Sequence, residues 1–182
     1  MKTLPLIIAP NPILKQISKP VEKVDESLRQ LMKDMVTTMY NESGIGLAAV
    51  QVGILKRILV IDVDYEVENH NHHDHHNCGG IHVKNTNPRY FINPEIIEFS
   101  KESSSYNEGC LSFPEARAEV IRPETVKVKF LDFHGNQKTE EMDGILATCI
   151  QHEIDHLNGI TFVDHISKLK RDMILNKMKK FK

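Results

Sequence analysis

Gln151-His152-Glu153-Ile154-Asp155-His156-Leu157, near the C-terminal end of the chain, contains the pattern His-Glu-x-x-His. Two histidines four residues apart lie on one face of an α-helix, so both imidazoles can reach one metal ion. Glu153 lies about 100° around the helix from His152, where its carboxylate can contact an activated water without taking a ligand position. The pattern therefore predicts metal-assisted hydrolysis with Glu153 moving the proton.

The flanking sequence predicts that this helix is buried. Gly144–Ile150 is mostly apolar, and Ile145, Thr148 and Cys149 share the histidine face. A helix that is apolar over most of its circumference packs inside the protein, and histidines buried in it need partners. A solvated helix face, the ordinary explanation of so short a pattern, is disfavoured.

A catalytic metal needs a third protein ligand, and the downstream sequence offers few. The metzincin pattern would place a histidine where this chain has Phe162, and no glutamate follows Glu153. Asp164 and His165 remain candidates, but an upstream ligand is favoured.

Two cysteines compete for that upstream role. Cys110, within Asn107–Pro114, would complete a His₂Cys set with water in the fourth position. Cys149, three residues before His152, would crowd the two histidines at the metal. We therefore prefer Cys110 as the ligand and interpret Cys149 as pocket wall.

Length and composition indicate one domain, residues 1–182, with a net charge of −2 that does not suggest nucleic-acid binding. The sequence has neither an apolar run of 18 residues nor the pattern of a signal peptide, so we expect no membrane segment. Three widely spaced cysteines do not form a disulfide framework. These features favour a reducing, cytoplasmic location, where a cysteine can remain a thiolate.

Helical spacing of apolar residues predicts a helix from about Asp25 to Asn41, with Asp25 as its N-cap. The following Gly44–Gly53 tract predicts a backbone that another group approaches closely. A phosphate-binding loop is a weak alternative because no G-K-[ST] is present. The simpler interpretation is a glycine-rich turn that enters a strand at 57–63. Gln51, the polar side chain of the tract, is expected to donate a hydrogen bond into a cleft.

The second half of the chain predicts β-structure. Tyr90–Phe99 is expected to be a strand that Pro94 places at a sheet edge or in a bulge. Ser103–Ser105 is expected to be a loop, and Glu119–Met142 an antiparallel pair with a turn near residue 134.

Two segments carry unusual compositions. Residues 64–89 form a predicted exposed, mobile insertion with six of the ten histidines between 70 and 82, consistent with metal scavenging or with a plain solvated loop. Residues 166–182 hold seven Lys or Arg against one Asp, and Ile166, Leu169, Met173 and Met178 suggest an apolar stripe. This helix is either a packed terminus with a solvated basic face or an electrostatic contact with RNA.

Three motifs in order resemble those of the peptide deformylases. The family's G-x-G-x-A-A-x-Q, E-G-C-x-S and Q-H-E-x-D-H appear at Gly44 to Gln51, Glu108 to Ser112 and Gln151 to His156. The resemblance, of the bacterial kind, covers nearly the whole chain. With the predicted elements it implies an α+β fold: antiparallel sheets packed around a buried central helix carrying HExxH, with an N-terminal and a C-terminal helix.

The resemblance also implies roles for individual residues. Cys110, His152 and His156 would bind the metal, and Glu153 would act as general base and then acid. Gln51, through its side-chain amide, and Leu111, through its backbone N–H, would stabilise the oxyanion. The residues that would contact the substrate are Ile45, Gly46, Tyr106, Gly109, Arg117, Ile145, Thr148 and Cys149. Asp155 would orient a histidine or pair with Arg122, or it is a solvated carboxylate.

The implied reaction is removal of the N-formyl group from formyl-methionyl nascent peptides, releasing formate, by attack of a metal-activated water on the formyl carbon. The implied ion is one Fe²⁺ per site, with Zn²⁺, Ni²⁺ or Co²⁺ in purified protein, since the ligand set does not choose among them. A monomer is expected, with a ribosome contact through the basic helix. A metal-storage protein using the histidine tract, a catalytically inactive relative and a neutral metalloprotease are the alternatives.

Overall fold

The computed structural model describes residues 2–67 and 82–180. Its helices are α1 (Glu26–Asn41), α2 (Gly144–Leu157) and α3 (Lys168–Met178), with short 3-10 turns at Pro12–Lys15, Ala49–Val52 and Phe162–His165. Its strands are β1 (Gly46–Ala48), β2 (Ile58–Ile61), β3 (Glu66–Val67), β4 (Val83–Lys84), β5 (Arg89–Phe99), β6 (Ser103–Cys110), β7 (Phe113–Pro123), β8 (Val126–Leu131) and β9 (Gln137–Met142). The predicted α+β class is confirmed.

The main sheet is antiparallel and joins strands in the order β1-β2-β5-β8-β9, while β6 and β7 pair as a separate hairpin. Strand β2 shows why the sheet is buried on both faces. Ile58 and Val60 pack in one core with residues of α1, and Leu59 and Ile61 pack in another with residues of α2. Alternate residues of a strand point to opposite faces, so an unbroken apolar run is required here.

Helix α2 is the central element, as its sequence predicts. Ala147, Ile150, Ile154 and Leu157 are buried in the core that includes Phe91 of the main sheet. The helix also contacts β7, so it lies between the sheet and the hairpin. The motif residues are thereby carried on a rigid, enclosed element.

Helix α1 begins where the sequence predicts. Asp25 is its N-cap, and the carboxylate accepts a hydrogen bond of 2.9 Å from the backbone N–H of Leu28. This bond satisfies one of the amides left unpaired at a helix start. Met32, Met35 and Met39 are fully buried against the sheet, as their helical spacing indicates.

One of two expectations for the β-strands needs correction. Pro94 predicted a sheet edge or a bulge, and β5 is internal, between β2 and β8, so the edge does not apply. Pro94 lies within the register shift between Ile92 and Glu95, so the bulge is confirmed; the interrupted ladder there tolerates a residue without an N–H. Ser103–Ser105 was expected to be a loop but begins β6, because Ile121–Pro123 of β7 supplies the pairing partner.

The apolar stripe expected on the C-terminal helix is also partly wrong. Leu169 and Met173 are 73% and 65% exposed. The face of α3 that packs carries Ile174, Leu175 and Met178, which join the core beside the β6–β7 hairpin. The position of the hairpin, rather than the count of apolar residues, selects which face of the helix is buried.

Only the ends of the predicted 64–89 insertion lie within the described part of the chain. There β3 and β4 pair, with Glu66 opposite Lys84 and Val67 opposite Val83, so the insertion starts and finishes as a short ladder. Residues 68–81, with most of the histidine tract, lie outside the described residues. Among the described residues, the helices are all too short or too polar to cross a membrane.

Candidate metal centre and cleft

Helix α2 brings the three motif side chains together in the interior. His152, Glu153 and His156 are 8%, 4% and 0% exposed. The two imidazole rings lie 5.0 Å apart, centroid to centroid, which is the one-turn separation that a four-residue spacing produces. Their local geometry was therefore fixed by the helix alone.

The third ligand atom comes from the end of β6. The Cys110 Sγ lies 3.2 Å from the His156 Nε2, and ligand atoms of Cys110, His152 and His156 all lie within 4.8 Å of one another. A register shift between Gly109 and Cys110 breaks the β6–β7 ladder at this point. A bulge redirects a side chain, and here it accompanies the turn of the thiol toward α2.

The competing ligand candidates are engaged elsewhere. The Cys149 Sγ lies 3.7 Å from the backbone oxygen of Ile45, in the wall of the cleft. Asp164 accepts hydrogen bonds from Thr161 and pairs with Lys15. His165 contacts Asp155 at 2.7 Å. Of the residues that the sequence left open, the structure brings only Cys110 to the two motif histidines.

A network of buried charged side chains contacts the Nδ1 side of the His152 ring. The His152 Nδ1 lies 2.8 Å from the Glu108 Oε2, and Arg122 donates to both carboxylate oxygens of Glu108, at 2.6 and 3.1 Å. Arg122 also donates to Asp155 at 2.8 Å, which in turn contacts His165. A carboxylate on the far nitrogen of a ligand histidine fixes its tautomer and ring orientation.

The pairing of Asp155 with Arg122 was expected from the sequence, but the contact of Glu108 with His152 was not. The available signal was a glutamate two residues before the candidate cysteine ligand. Burial alone would raise the pKa of Glu108, yet its hydrogen bonds with His152 and Arg122 lower that pKa to about 2. Glu108 is thus a permanent anion behind the histidine.

Burial shifts the pKa values of Glu153 and His156 in opposite directions. Burial raises the pKa of Glu153 to about 7, so this carboxyl can both accept and release a proton near neutral pH. Burial also lowers the pKa of His156 well below its usual range, which keeps it in the neutral form that binds metals. Burial opposes protonation of His152, but hydrogen bonding with Cys110 and Glu108 raises its pKa, so metal binding there would release a proton.

The site opens into a cleft of about 600 Å³. Two stretches of chain, which we call its walls, supply many of its lining residues: Glu42–Gly46 and Tyr106–Leu111. The predicted site residues that line it are Ile45, Gly46, Gln51, Tyr106, Gly109, Cys110, Leu111, Arg117, Ile145, Thr148, Cys149, His152 and Glu153. The remaining predicted ligand, His156, lies fully buried beneath them.

Gln51 is buried with its amide group directed at the second motif. Its Oε1 accepts a hydrogen bond of 2.8 Å from the N–H of Ala48, which fixes the orientation of the amide. Its Nε2 therefore lies on the other side, 3.4 Å from the Cys110 Sγ and 3.3 Å from the Ser112 Oγ. A donor is therefore held beside the thiol. The sequence predicted a donor facing a cleft, and Gln51 is among the lining residues of the cleft.

At Gly46, within the glycine-rich tract, the surrounding side chains leave no room for a Cβ atom. A Cβ atom at this position would lie 2.5 Å from the Glu153 Oε1 and 2.7 Å from the Cys149 Sγ. At Gly44 the close contact would be the flexible end of Leu111, and at Gly109 the space is ordinary, with Arg117 at 3.4 Å. The close approach predicted for this tract is therefore sharpest where β1 passes the Glu153 carboxylate.

The residues present fit a divalent metal ion. One thiol and two imidazoles within 4.8 Å form a donor set for Zn²⁺ or Fe²⁺. Among the described residues, the buried Glu153 Oε2 and His156 Nδ1 have no hydrogen-bond partner. A buried carboxylate oxygen without a partner is costly, and a water beside a metal would satisfy it.

Comparison with known proteins agrees with this geometry. A family model described as polypeptide deformylase matches residues 3–172. The chain is 53% identical over 180 residues to a peptide deformylase of Mesorhizobium japonicum, covering 99% of this chain and 93% of that protein. For a peptide deformylase of Brucella suis the identity is 51%, over 99% of this chain and 94% of that one. The crystal structure of a peptide deformylase from Ehrlichia chaffeensis in complex with actinonin aligns with a TM-score of 0.85 at 41% identity, covering 100% of this chain and 99% of that chain. The chain belongs to the polypeptide deformylase family.

Proposed function

We propose that the cleft hydrolyses the N-formyl group of formylmethionine at the start of newly made polypeptides, releasing formate. Membership of the family supports the reaction. The observation that carries the site assignment is the cluster of Cys110, His152 and His156 ligand atoms beside a buried glutamate. The proposed substrate-contacting residues, Glu153 and the candidate metal ligands Cys110 and His152 all line the same cleft.

Cys110, His152 and His156 would hold the metal, and Glu108 would keep the His152 ring in place. A metal ion bound there would lower the pKa of a coordinated water and polarise the formyl oxygen. We propose Fe²⁺ as the ion, on the basis of the resemblance, with Zn²⁺, Ni²⁺ or Co²⁺ as replacements in purified protein. The ligand set accommodates each of them.

Glu153 would accept a proton from the attacking water and then deliver it to the leaving amine. In the metal-free protein burial raises the pKa of Glu153 to about 7, and a carboxyl that titrates near neutral pH is suited to both accepting and donating a proton. The Gln51 Nε2 and the N–H of Leu111 would donate to the oxygen that becomes negative. Both residues border the cleft, next to the ligand Cys110.

The substrate would lie between the two backbone walls of the cleft. Ile45 and Gly109, through their backbones, and Arg117, through its side chain, would hold the peptide. Tyr106, Ile145, Thr148 and Cys149 would surround the methionine side chain, and Gly46 would leave room for the formyl end. All of these residues line the cleft.

The partner of the chain would be the nascent peptide, in the cytoplasm, with the enzyme acting as a monomer. We further propose that the basic C-terminal helix contacts ribosomal RNA. Its exposed Leu169 and Met173 lie among lysines and arginines on a helix that packs through its other face. Basic side chains on such a surface would neutralise phosphates.

The test is formate release from formyl-Met-Ala-Ser by anaerobically purified, Fe²⁺-loaded protein. Glu153→Gln keeps the shape of the side chain and removes its base, and we expect kcat to fall about 10²- to 10⁴-fold. Glu141→Gln, at an exposed position of β9, is the matched control and should retain wild-type activity. Metal content must be equal in all three proteins. Absence of formate release from the metal-loaded wild type would refute the proposed function.

A further inference from the structure

Hydrogen bonds from several parts of the chain hold the wall of the cleft that contains Gly44 and Ile45. The N–H of Gly44 donates to the Met39 oxygen at 2.9 Å, and the Ile45 oxygen accepts from the N–H of Asp62 at 2.9 Å. The Gly44 oxygen accepts from the Tyr65 hydroxyl at 3.0 Å. The first two bonds are backbone contacts. The Cys149 Sγ also lies 3.7 Å from the Ile45 oxygen, so Tyr65 supplies the side-chain bond at Gly44 and Cys149 the side-chain contact at Ile45.

This wall leads into β1, the terminal strand of the main sheet. β1 pairs with β2 on one side, and the stretch that precedes it lines the cleft. A strand at a sheet edge can bind an extended peptide through its free backbone groups. The alignment of those groups depends on how firmly residues 44–46 are held.

Tyr65 is itself held by neighbouring groups. Its ring meets the Tyr40 ring edge to face, with centroids 4.8 Å apart. The Tyr40 hydroxyl donates to Asp62 at 2.5 Å, and Asp62 also accepts from the N–H of Asn87 at 2.7 Å. Burial raises the pKa of Tyr65, so its hydroxyl stays protonated and remains a donor at every working pH.

The position of Tyr65 in the chain connects the wall to the paired ends of the insertion. Tyr65 directly precedes β3, which pairs with β4. Glu66 forms an ion pair with Lys84 at 3.4 Å and accepts from Asn85 at 3.1 Å. The short β3–β4 ladder thus fixes the backbone from which the tyrosine side chain reaches Gly44.

We propose that Tyr65 is a positioning residue for the peptide substrate: by holding the Gly44 oxygen, it aligns the backbone of Ile45 and Gly46 for binding along the cleft. The proposal rests on the proposed function, in which Ile45 binds the peptide. Tyr65 acts through the wall and does not contact the reacting atoms. Its loss should therefore weaken substrate binding and leave the chemical step unchanged.

Tyr65→Phe removes the hydroxyl and keeps the ring contact with Tyr40. We expect KM for formyl-Met-Ala-Ser to rise about fivefold, the scale of one ordinary hydrogen bond, with kcat within twofold of the wild type. Tyr90→Phe is the matched control, because Tyr90 packs on Phe133 in the core and does not line the cleft. It should leave both constants unchanged.

Amide hydrogen exchange of Gly44 and Asp62, whose N–H groups donate to the Met39 and Ile45 oxygens, is the second readout. Exchange at these two amides should quicken in Tyr65→Phe and not in Tyr90→Phe, whether or not the protein releases formate. An unchanged KM in Tyr65→Phe would overturn the positioning role. So would a fall of kcat accompanied by a lower midpoint of urea unfolding, because that result would show a general loss of stability. A wild type that releases no formate would instead refute the proposed function, and the exchange rates would still decide whether Tyr65 holds the wall.

Discussion

Gly46→Ala tests whether β1 must pass the catalytic carboxylate without a side chain. The added Cβ would lie 2.5 Å from the Glu153 Oε1, whereas real Cβ contacts are seldom closer than 3.4 Å. The two groups must therefore separate by about 0.9 Å, the difference of these two distances. Cys149, at 2.7 Å, closes the neighbouring direction, so Glu153 or the β1 backbone has to move.

The size of the effect follows from this displacement. Moving a catalytic group by about 1 Å costs roughly 10²-fold in rate. We expect kcat/KM of Gly46→Ala for formyl-Met-Ala-Ser to fall about 10²-fold. The backbone of Gly46 is not in the left-handed region, so an alanine meets a steric obstacle there and no conformational one.

Two other glycines of the cleft supply a graded control. Gly109→Ala would place its Cβ 3.4 Å from Arg117, an ordinary contact, and should retain activity within about threefold. Gly44→Ala would press on the flexible end of Leu111 and should fall between the two. The assay is steady-state formate release at equal metal content, with urea unfolding to compare stability. Equal losses at Gly46 and Gly109, or near wild-type activity of Gly46→Ala, would refute the steric reasoning.

Three further predictions concern the charges of the site. Arg122→Met leaves the buried Glu108 without its cation and should lower the free energy of unfolding by about 3 kcal/mol. The control, Lys127→Met at a partly exposed ion pair, should change that free energy by less than about 1 kcal/mol. Urea unfolding measures both values. In chelator-treated protein, burial raises the pKa of Glu153 from 4.5 to about 7, so the neutral carboxyl stabilises the fold fully below pH 4.5. This contribution, about 3 kcal/mol, is lost as the pH rises through 7. Glu153→Gln should flatten the pH dependence of the free energy of unfolding over that window, and an unchanged slope would contradict the prediction. Gln51→Leu should lower kcat about 10²-fold with little change in KM, as expected for a donor used only in the transition state; a change confined to KM would assign Gln51 to substrate binding instead.

Local patterns in the sequence predicted the elements whose geometry is set within a few residues. The α1 cap at Asp25, the burial of α2 and the shared face of His152 and His156 all follow from helical periodicity, which is a property of neighbouring residues. The antiparallel pairing of β8 with β9 followed from alternation and a turn signal for the same reason.

Expectations failed where the deciding partner is distant in sequence. The serines at the start of β6 were expected to be a loop and became strand because β7 pairs with them. For β5 the sequence left an edge and a bulge open, and the flanking strands β2 and β8 exclude the edge. The packed face of α3 was selected by the β6–β7 hairpin. None of these partners is visible in the local composition of the segment concerned.

The same division holds at the candidate site. The sequence by itself determined two candidate ligand histidines one turn apart with a glutamate beside them, because a helix places residues four apart on one face. It favoured Cys110 over three other candidates as the third ligand, but it did not reveal that Glu108 contacts His152. Only the tertiary structure brings these two side chains, at the end of β6, against α2 across more than forty residues of chain. Contacts over such separations depend on how sheets and helices pack together, and no short-range pattern encodes that packing.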